Sequence, residues 1–344
     1  MTIRTLIVDD SPTMQAMIHR KLSGDAGIAV VGYAANADEA RARIKELDPD
    51  VVTLDVEMPG MNGLDFLQRL MRLRPTPVVM LSSFTSRGAE TSITALELGA
   101  FDCFDKARLQ TQHDASGEPD LADLLRAASA TKPQAIAPSA APKSSSTSTV
   151  FTPRPGSMIA IGASTGGVEA LIEVLMGFPA NCPPTVIVQH MPATFTPSFA
   201  ARLNRLCPPT VEEARPGAPL MVGKVYLAPG GERHLEVAGE GLKRHCRLVE
   251  GEKVNGHRPS VDRLFKSLVR AAGDQAVGAI LTGMGNDGAL GLKAMRDAGS
   301  PTIGQDKATS TVYGMPAVAH QIGAVCEQQP LRRIASTLLA ECRA

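Results

Sequence analysis

The chain has 344 residues, enough for two domains of ordinary size. Hydrophobic residues make up 44% and charged residues 20%, the balance of a globular chain with a real core. Lysine plus arginine number 35, aspartate plus glutamate also 35, and tryptophan is absent. That neutrality favours neither nucleic acid nor an anionic membrane as main partner, and the scarcity of aromatic rings leaves little for base stacking.

Thr5-Leu6-Ile7-Val8 predicts a strand that stops at Asp9-Asp10. Helical spacing of apolar groups follows over Pro12 to Leu22. Strands are predicted at Ile28 to Tyr33, Val51 to Leu54, Val78 to Leu81 and Asp102 to Phe104. Helices are predicted at Ala37 to Leu47, Leu64 to Leu73, Ala89 to Leu98 and Leu121 to Ala128. Alternating strands and helices, with strands that are near-continuous apolar runs, imply a parallel sheet covered on both faces.

From Thr131 to Pro155 the chain is dominated by proline, alanine, serine and threonine, which cannot bury enough apolar surface to fold. This predicts a linker at 131–155 between domains at 1–130 and 156–344. In the second domain, strands are predicted at Met158 to Ile161, Thr185 to Val188, Lys224 to Leu227 and Val277 to Leu281. Helices are predicted at Val168 to Met176 and Leu290 to Ala298, again as an open, largely parallel α/β unit.

The N-terminus meets Asp9-Asp10 after a few apolar residues, unlike a signal peptide, and no apolar run reaches membrane-spanning length. A cytoplasmic protein without membrane insertion is expected. Cys103, Cys182, Cys207, Cys246, Cys326 and Cys342 have no metal-ligand spacing and are expected to be reduced, buried, small hydrophobes.

Asp9, Asp10 and Asp55 stand at predicted C-terminal strand ends, where open parallel sheets form their sites. Each alone could cap a helix or sit in a turn. Together they need a hard cation such as Mg²⁺, and Lys106 and Ser82 would reach the same crevice. A metal beside a carboxylate nucleophile describes acyl-phosphate chemistry on aspartate. These residues, with Leu54-Asp55-Val56-Glu57-Met58-Pro59-Gly60-Met61-Asn62-Gly63, resemble a two-component response-regulator receiver domain. The resemblance implies a flavodoxin-like fold and phosphorylation of Asp55 by a histidine kinase. It implies Mg²⁺ held by Asp10, Asp55 and the Glu57 carbonyl with Asp9 close by, and phosphoryl contacts from Ser82 and Lys106. Two positions depart from the family pattern. Cys103 stands where a switch aromatic is usual, and Ala107 follows Lys106 where proline is common, so no cis peptide is expected there.

In the second domain, Ser164 lies in the glycine-rich turn Gly162-Ala163-Ser164-Thr165-Gly166-Gly167 between a strand and a helix. Such a turn can cradle an anion or present a nucleophile beside oxyanion donors. It is neither a Walker A nor a Gly-x-Gly-x-x-Gly sequence. His190 ends the next strand, where a lone histidine is more often a satisfied structural group. Asp287 follows a later strand in Thr282-Gly283-Met284-Gly285-Asn286-Asp287-Gly288-Ala289, where it or Asn286 could instead cap a helix. As a set, the three fit nucleophile, general base and orienting carboxylate.

These strings, with Gln189-His190-Met191-Pro192, Ala228-Pro229-Gly230 and His257-Arg258-Pro259-Ser260-Val261-Asp262, resemble the CheB family of chemotaxis protein-glutamate methylesterases along the whole chain. The resemblance implies two doubly wound parallel-sheet domains, the second a Rossmann-like α/β hydrolase. It implies hydrolysis of glutamate γ-methyl esters on the cytoplasmic helices of chemoreceptors, and glutamine deamidation. Ser164, His190 and Asp287 would be the triad, the Met284 and Thr165 N–H groups would serve the oxyanion, and His257 would be an accessory group. No cofactor is expected at the esterase site. The receiver would mask the esterase until phosphorylated. Two other readings fit the residues alone: a receiver joined to a non-catalytic binding module, and a DNA-binding regulator. The second is disfavoured by the neutral charge and the lack of a small basic helix-turn-helix unit.

Overall fold

The computed structural model describes residues 2–58, 60–83, 85–110, 119–131 and 151–344. The chain forms two compact units, Met1–Ser146 and Thr147–Ala344. Most of the expected linker, residues 132–150, lies outside the described residues.

The first unit alternates β1 (Ile3–Val8), α1 (Pro12–Leu22), β2 (Ile28–Ala34), α2 (Ala37–Leu47), β3 (Val51–Asp55), α3 (Gly63–Leu73), β4 (Val78–Ser82), α4 (Ser86–Glu97), β5 (Asp102–Asp105) and α5 (Leu121–Ser129). The helices start where local chemistry supplies acceptors for orphan N–H groups. Ser11, Asn36 and Asn62 cap α1, α2 and α3 through side-chain oxygens, and Pro12 opens α1. The five strands pair in parallel in the order β2-β1-β3-β4-β5. Every residue of β3 and β4 is buried, as a sheet covered on both faces requires. The chain reverses direction across the sheet beside β1, which opens a crevice at the C-terminal ends of β1 and β3.

The second unit runs β6 (Met158–Ala163), α6 (Gly167–Met176), β7 (Thr185–Gln189), α7 (Thr196–Leu206), β8 (Thr210–Glu213), β9 (Lys224–Leu227), β10 (Arg233–Ala238), β11 (His245–Glu250), α8 (Val261–Ala271), β12 (Ala276–Ile280), α9 (Ala289–Asp297), β13 (Thr302–Gln305), α10 (Met315–Gln321), β14 (Glu327–Gln329) and α11 (Leu331–Glu341). Seven parallel strands lie in the order β14-β13-β12-β6-β7-β9-β8, so this fold too is α/β as expected. The β10–β11 antiparallel ribbon stands apart from that sheet and was not expected. Val261, Leu264, Phe265 and Leu268 of α8 enter one core with Leu235, Val237 and Cys246 of the ribbon and Val186 and Val188 of β7. Chain direction reverses beside β6, which has β7 on one side and β12 on the other.

Four of the six cysteines are buried, but Cys103 is only half-buried and Cys326 is exposed, against expectation. Cys326 sits at the surface just before β14, a short strand at the sheet's edge. No helix among the described residues is long and apolar enough to cross a membrane.

Candidate active site

In the first unit, ligand oxygens of Asp9, Asp10 and Asp55 lie within 4.8 Å of one another. Asp9 and Asp55 are buried, and Asp10 is exposed. Lys106, just past β5, places Nζ 2.7 Å from Asp55 Oδ1 and 3.4 Å from Asp9 Oδ2. The Glu57 N–H donates to Asp55 Oδ1 at 3.2 Å, so the backbone turns tightly around the carboxylate. Ser82 ends β4, next to β3 in the sheet. Burial raises the Asp55 pKa, the Lys106 bond and charge oppose it, and Asp9 adds repulsion; the net is a raised value. Lys106 is also raised: burial disfavours its charge, but Asp55 and Asp9 outweigh that. Asp9 Oδ2 is buried with only the Lys106 ammonium near it. Three clustered carboxylates fit a small divalent cation. Cys103 turns Sγ toward the Ser92 carbonyl at 3.7 Å, and burial pushes its thiol far up, so it is an inert packing group.

In the second unit, Ser164 follows β6, His190 follows β7 and Asp287 follows β12, three adjacent strands. Backbone bonds bring these ends together. The His190 N–H donates to the Ala163 carbonyl at 3.1 Å, and the Ser164 N–H donates to the Thr282 carbonyl at 3.0 Å. Gly166 takes φ +77° to make the turn, and a Cβ there would lie 2.5 Å from Thr311. Gln189 Nε2 donates to the Ser164 carbonyl at 2.9 Å, and Thr282 Oγ1 to that of Thr165 at 2.9 Å, which fixes both sides of the turn.

Asp287 is fully buried. His190 Nε2 lies 2.9 Å from its Oδ2. That oxygen also accepts from the Val261 N–H at 2.6 Å. Oδ1 accepts from Ser260 Oγ at 2.8 Å, Asn255 Nδ2 at 3.0 Å and the Asp262 N–H at 3.2 Å. Burial alone would raise the pKa, but the bond to His190 and its charge, then Asn255 and Ser260, hold it well below the usual carboxylate range. An ionised carboxylate only accepts, so the histidine proton belongs on Nε2. Nδ1 then carries the lone pair, and it is buried with no hydrogen-bond partner. His257 stacks on His190 with ring centroids 3.6 Å apart and planes 7° from parallel. Burial, then the neighbouring His190, depress the His257 pKa to about 3, so it stays neutral.

The structure therefore gathers Ser164, His190, Asp287, His257, Thr165 and Met284 at one lip of the second sheet. Gly283 backs onto Ser164 Cβ, which brings the loop carrying Met284 alongside. Asp287 does cap a helix, but not its own: Gly288 opens α9, while Asp287 holds the first N–H groups of α8.

The chain matches the family model described as CheB methylesterase over residues 159–338 and that described as Response regulator receiver domain over residues 5–113. It is 57% identical over 346 residues to the Protein-glutamate methylesterase/protein-glutamine glutaminase of Agrobacterium fabrum, covering 98% of this chain and 95% of that one. The chain belongs to the CheB methylesterase family. A relative from Caulobacter vibrioides with the same printed name, numbered 1, is 54% identical over 341 residues, covering 98% of this chain and 97% of that one. The crystal structure of the Thermotoga maritima CheB methylesterase catalytic domain superposes with TM-score 0.53 at 36% identity, covering 54% of this chain and 99% of that chain.

Sequence reasoning missed two polar groups of this CheB-family site. Asn255 adopts φ +53° and bridges Asp287 to Asp262. Ser260 caps α8 and donates to Asp287. Both signals were legible, an Asn-Gly pair at 255–256 and a serine before the apolar spacing of Val261, Leu264, Phe265 and Leu268.

Proposed function

We propose that this protein is a phosphorylation-activated protein-glutamate methylesterase and protein-glutamine glutaminase, as its relatives are named. One observation carries the hydrolase reading: a buried, ionised carboxylate orients an imidazole whose other nitrogen is unpaired, on the strand next to a serine-bearing turn.

Ser164 Oγ attacks the γ-carbonyl carbon of a receptor glutamyl ester while His190 Nδ1 takes its proton. Asp287 stabilises the imidazolium. The tetrahedral oxygen faces N–H donors of Met284 and Thr165. Collapse breaks the carbon–oxygen bond, and the proton on Nδ1 leaves with methanol. A water, deprotonated at the same nitrogen, attacks the glutamyl-serine ester and restores Ser164. With glutamine as substrate, ammonia leaves in place of methanol. Neutral His257 fixes the ring plane of His190 without adding a second positive charge beside it.

In the receiver, an Asp55 carboxylate oxygen takes the phosphoryl group from a histidine kinase. Asp10, Asp55 and the Glu57 carbonyl, with Asp9 nearby, would hold Mg²⁺, whose charge offsets that of the phosphoryl oxygens. Lys106 and Ser82 contact those oxygens. The protein acts in the cytoplasm.

The test is mass change at receptor glutamyl esters. Wild type should lose 14 Da per methyl ester, about the mass of one CH₂ unit. Ser164→Ala should lower turnover by roughly 10⁴-fold or more with an unchanged melting temperature. Undiminished hydrolysis by the variant would remove Ser164 from the mechanism.

A further inference from the structure

Away from the three strand ends, α8 and the β10–β11 ribbon enclose an open groove of about 550 Å³, lined by Glu236, Arg247, Val249, Arg263, Lys266 and Arg270. Glu236 is the only acidic residue in that lining, and its side chain is 6% exposed. Arg247 lies 2.5 Å from it, Arg263 2.7 Å and Arg270 3.8 Å. Lys266 has its nearest carboxylate, Asp262, at 3.9 Å. One carboxylate cannot neutralise four cations. With Asp262 beside Lys266 counted as well, two unit positive charges remain uncompensated around the groove.

The cations that project furthest are Arg270 and Arg247, with side chains 65% and 51% exposed. Arg263 is held more deeply, and its Nε is buried without a hydrogen-bond partner. Guanidinium groups pair in two-pronged fashion with carboxylates.

The groove begins beside the catalytic wall. Val261 and Asp262 open α8 by donating to Asp287, and Arg263 is the next residue. Arg263, Lys266 and Arg270, spaced i, i+3, i+7, share one face of the helix. At 1.5 Å per residue this basic stripe runs about 10 Å, two turns of a partner helix. Val249 gives the groove an apolar patch for methylene groups of such a partner.

We propose that this groove is a substrate-docking site that takes an acidic helical segment of the receptor, with carboxylates two turns apart, flanking the ester presented to Ser164. The proposal rests on the receptor-esterase reading above. Each turnover converts a neutral ester or amide into a carboxylate, so the substrate itself grows more acidic as the reaction proceeds. The groove would then favour receptors that already carry glutamates near the ester.

The variant Arg247→Gln/Arg270→Gln leaves Arg263 on Glu236 and touches nothing that contacts Asp287. In the full chain it should lower kcat/KM on receptor esters about tenfold at low salt, through KM, and flatten the salt dependence. Hydrolysis of p-nitrophenyl acetate, which has no acidic flank, should be unchanged. Binding of a fluorescent Glu-rich helical peptide, read by anisotropy, should weaken in parallel, and this readout does not depend on turnover. If wild type hydrolyses no ester, the esterase reading fails while the peptide arm still decides the groove. Equal peptide binding by wild type and variant overturns the proposal. So does competition by inorganic phosphate at matched ionic strength, which would mark a general anion site, or variant-sensitive binding to phosphatidylglycerol vesicles without peptide binding. If the double variant lacks the wild-type melting transition, Arg270→Gln alone is read against the same outcomes.

Discussion

A carboxylate without solvent exposure must be given donors or lose its charge. Asp287 is given five: His190 Nε2, Ser260 Oγ, Asn255 Nδ2 and the N–H groups of Val261 and Asp262. Asp287→Asn would place an amide N–H₂ against donors and remove the acceptor that keeps the histidine proton on Nε2. Turnover should fall by roughly 10³- to 10⁴-fold with KM little changed, and thermal or denaturant unfolding should show a loss of about 2–3 kcal/mol. The pH dependence has a definite sign. The folded pKa lies below the ordinary 3.8, so the stabilisation is present above that value and fades as pH falls through the folded pKa. Wild-type stability should therefore decline on acidification below about pH 4 with a steeper slope than the variant, by up to ~1.4 kcal/mol per pH unit. Parallel slopes would mean that Asp287 is not ionised in the folded chain.

The loop between β12 and α9 brings its backbone against Ser164. A Cβ at Gly283 would lie 2.7 Å from Ser164 Cβ and 2.4 Å from Met315 Sδ. The methionine end can swing aside, but the serine, held by its own backbone bonds, cannot without leaving its strand-end position. Gly283→Ala should cut ester hydrolysis by at least about tenfold while the folded state persists, since sub-ångström to ångström displacement at a reacting group is costly. Full activity would mean that the loop yields rather than Ser164. The strand-end logic that singled out Ser164, His190 and Asp287 could be applied because parallel strands are short apolar runs with polar stops, and the structure places the three after β6, β7 and β12. The same logic was blind to α7, α8, α10 and α11 and to the ribbon. In α8 the apolar period was present, but arginine and lysine fill the remaining positions and hide a helix whose inner face is core. In the ribbon, Leu235 and Val237 alternate with His234 and Glu236, but the strand is a single short one and its polar members are themselves buried, which is not the polar-out pattern of a half-buried strand. The turn at Asn255-Gly256 was legible, but the bond of Asn255 to Asp287 was not, since it joins residues 32 positions apart.

Each unit of the chain carries its own sheet and its own apolar core, and each chemical constellation falls wholly inside one unit. Asp9, Asp10, Asp55 and Lys106 belong to Met1–Ser146, while Ser164, His190, Asp287, Asn255 and Ser260 belong to Thr147–Ala344. Ester hydrolysis should therefore survive removal of the first unit. A fragment starting at Thr147 is expected to unfold cooperatively and to hydrolyse receptor esters whether or not a phosphodonor and Mg²⁺ are supplied. The full chain should respond to them, and Asp55→Asn should not. The sizes of these rates separate two kinds of control. If the receiver only masks the esterase, the open fraction cannot exceed one. Phosphorylation can then raise the rate at most to that of the fragment, and deletion must give a gain at least as large as phosphorylation does. A phosphorylated full chain that outruns the fragment would require the receiver to add something to catalysis or to receptor binding. A fragment no faster than the unphosphorylated chain would refute masking and leave the hydrolytic chemistry of Ser164 untouched.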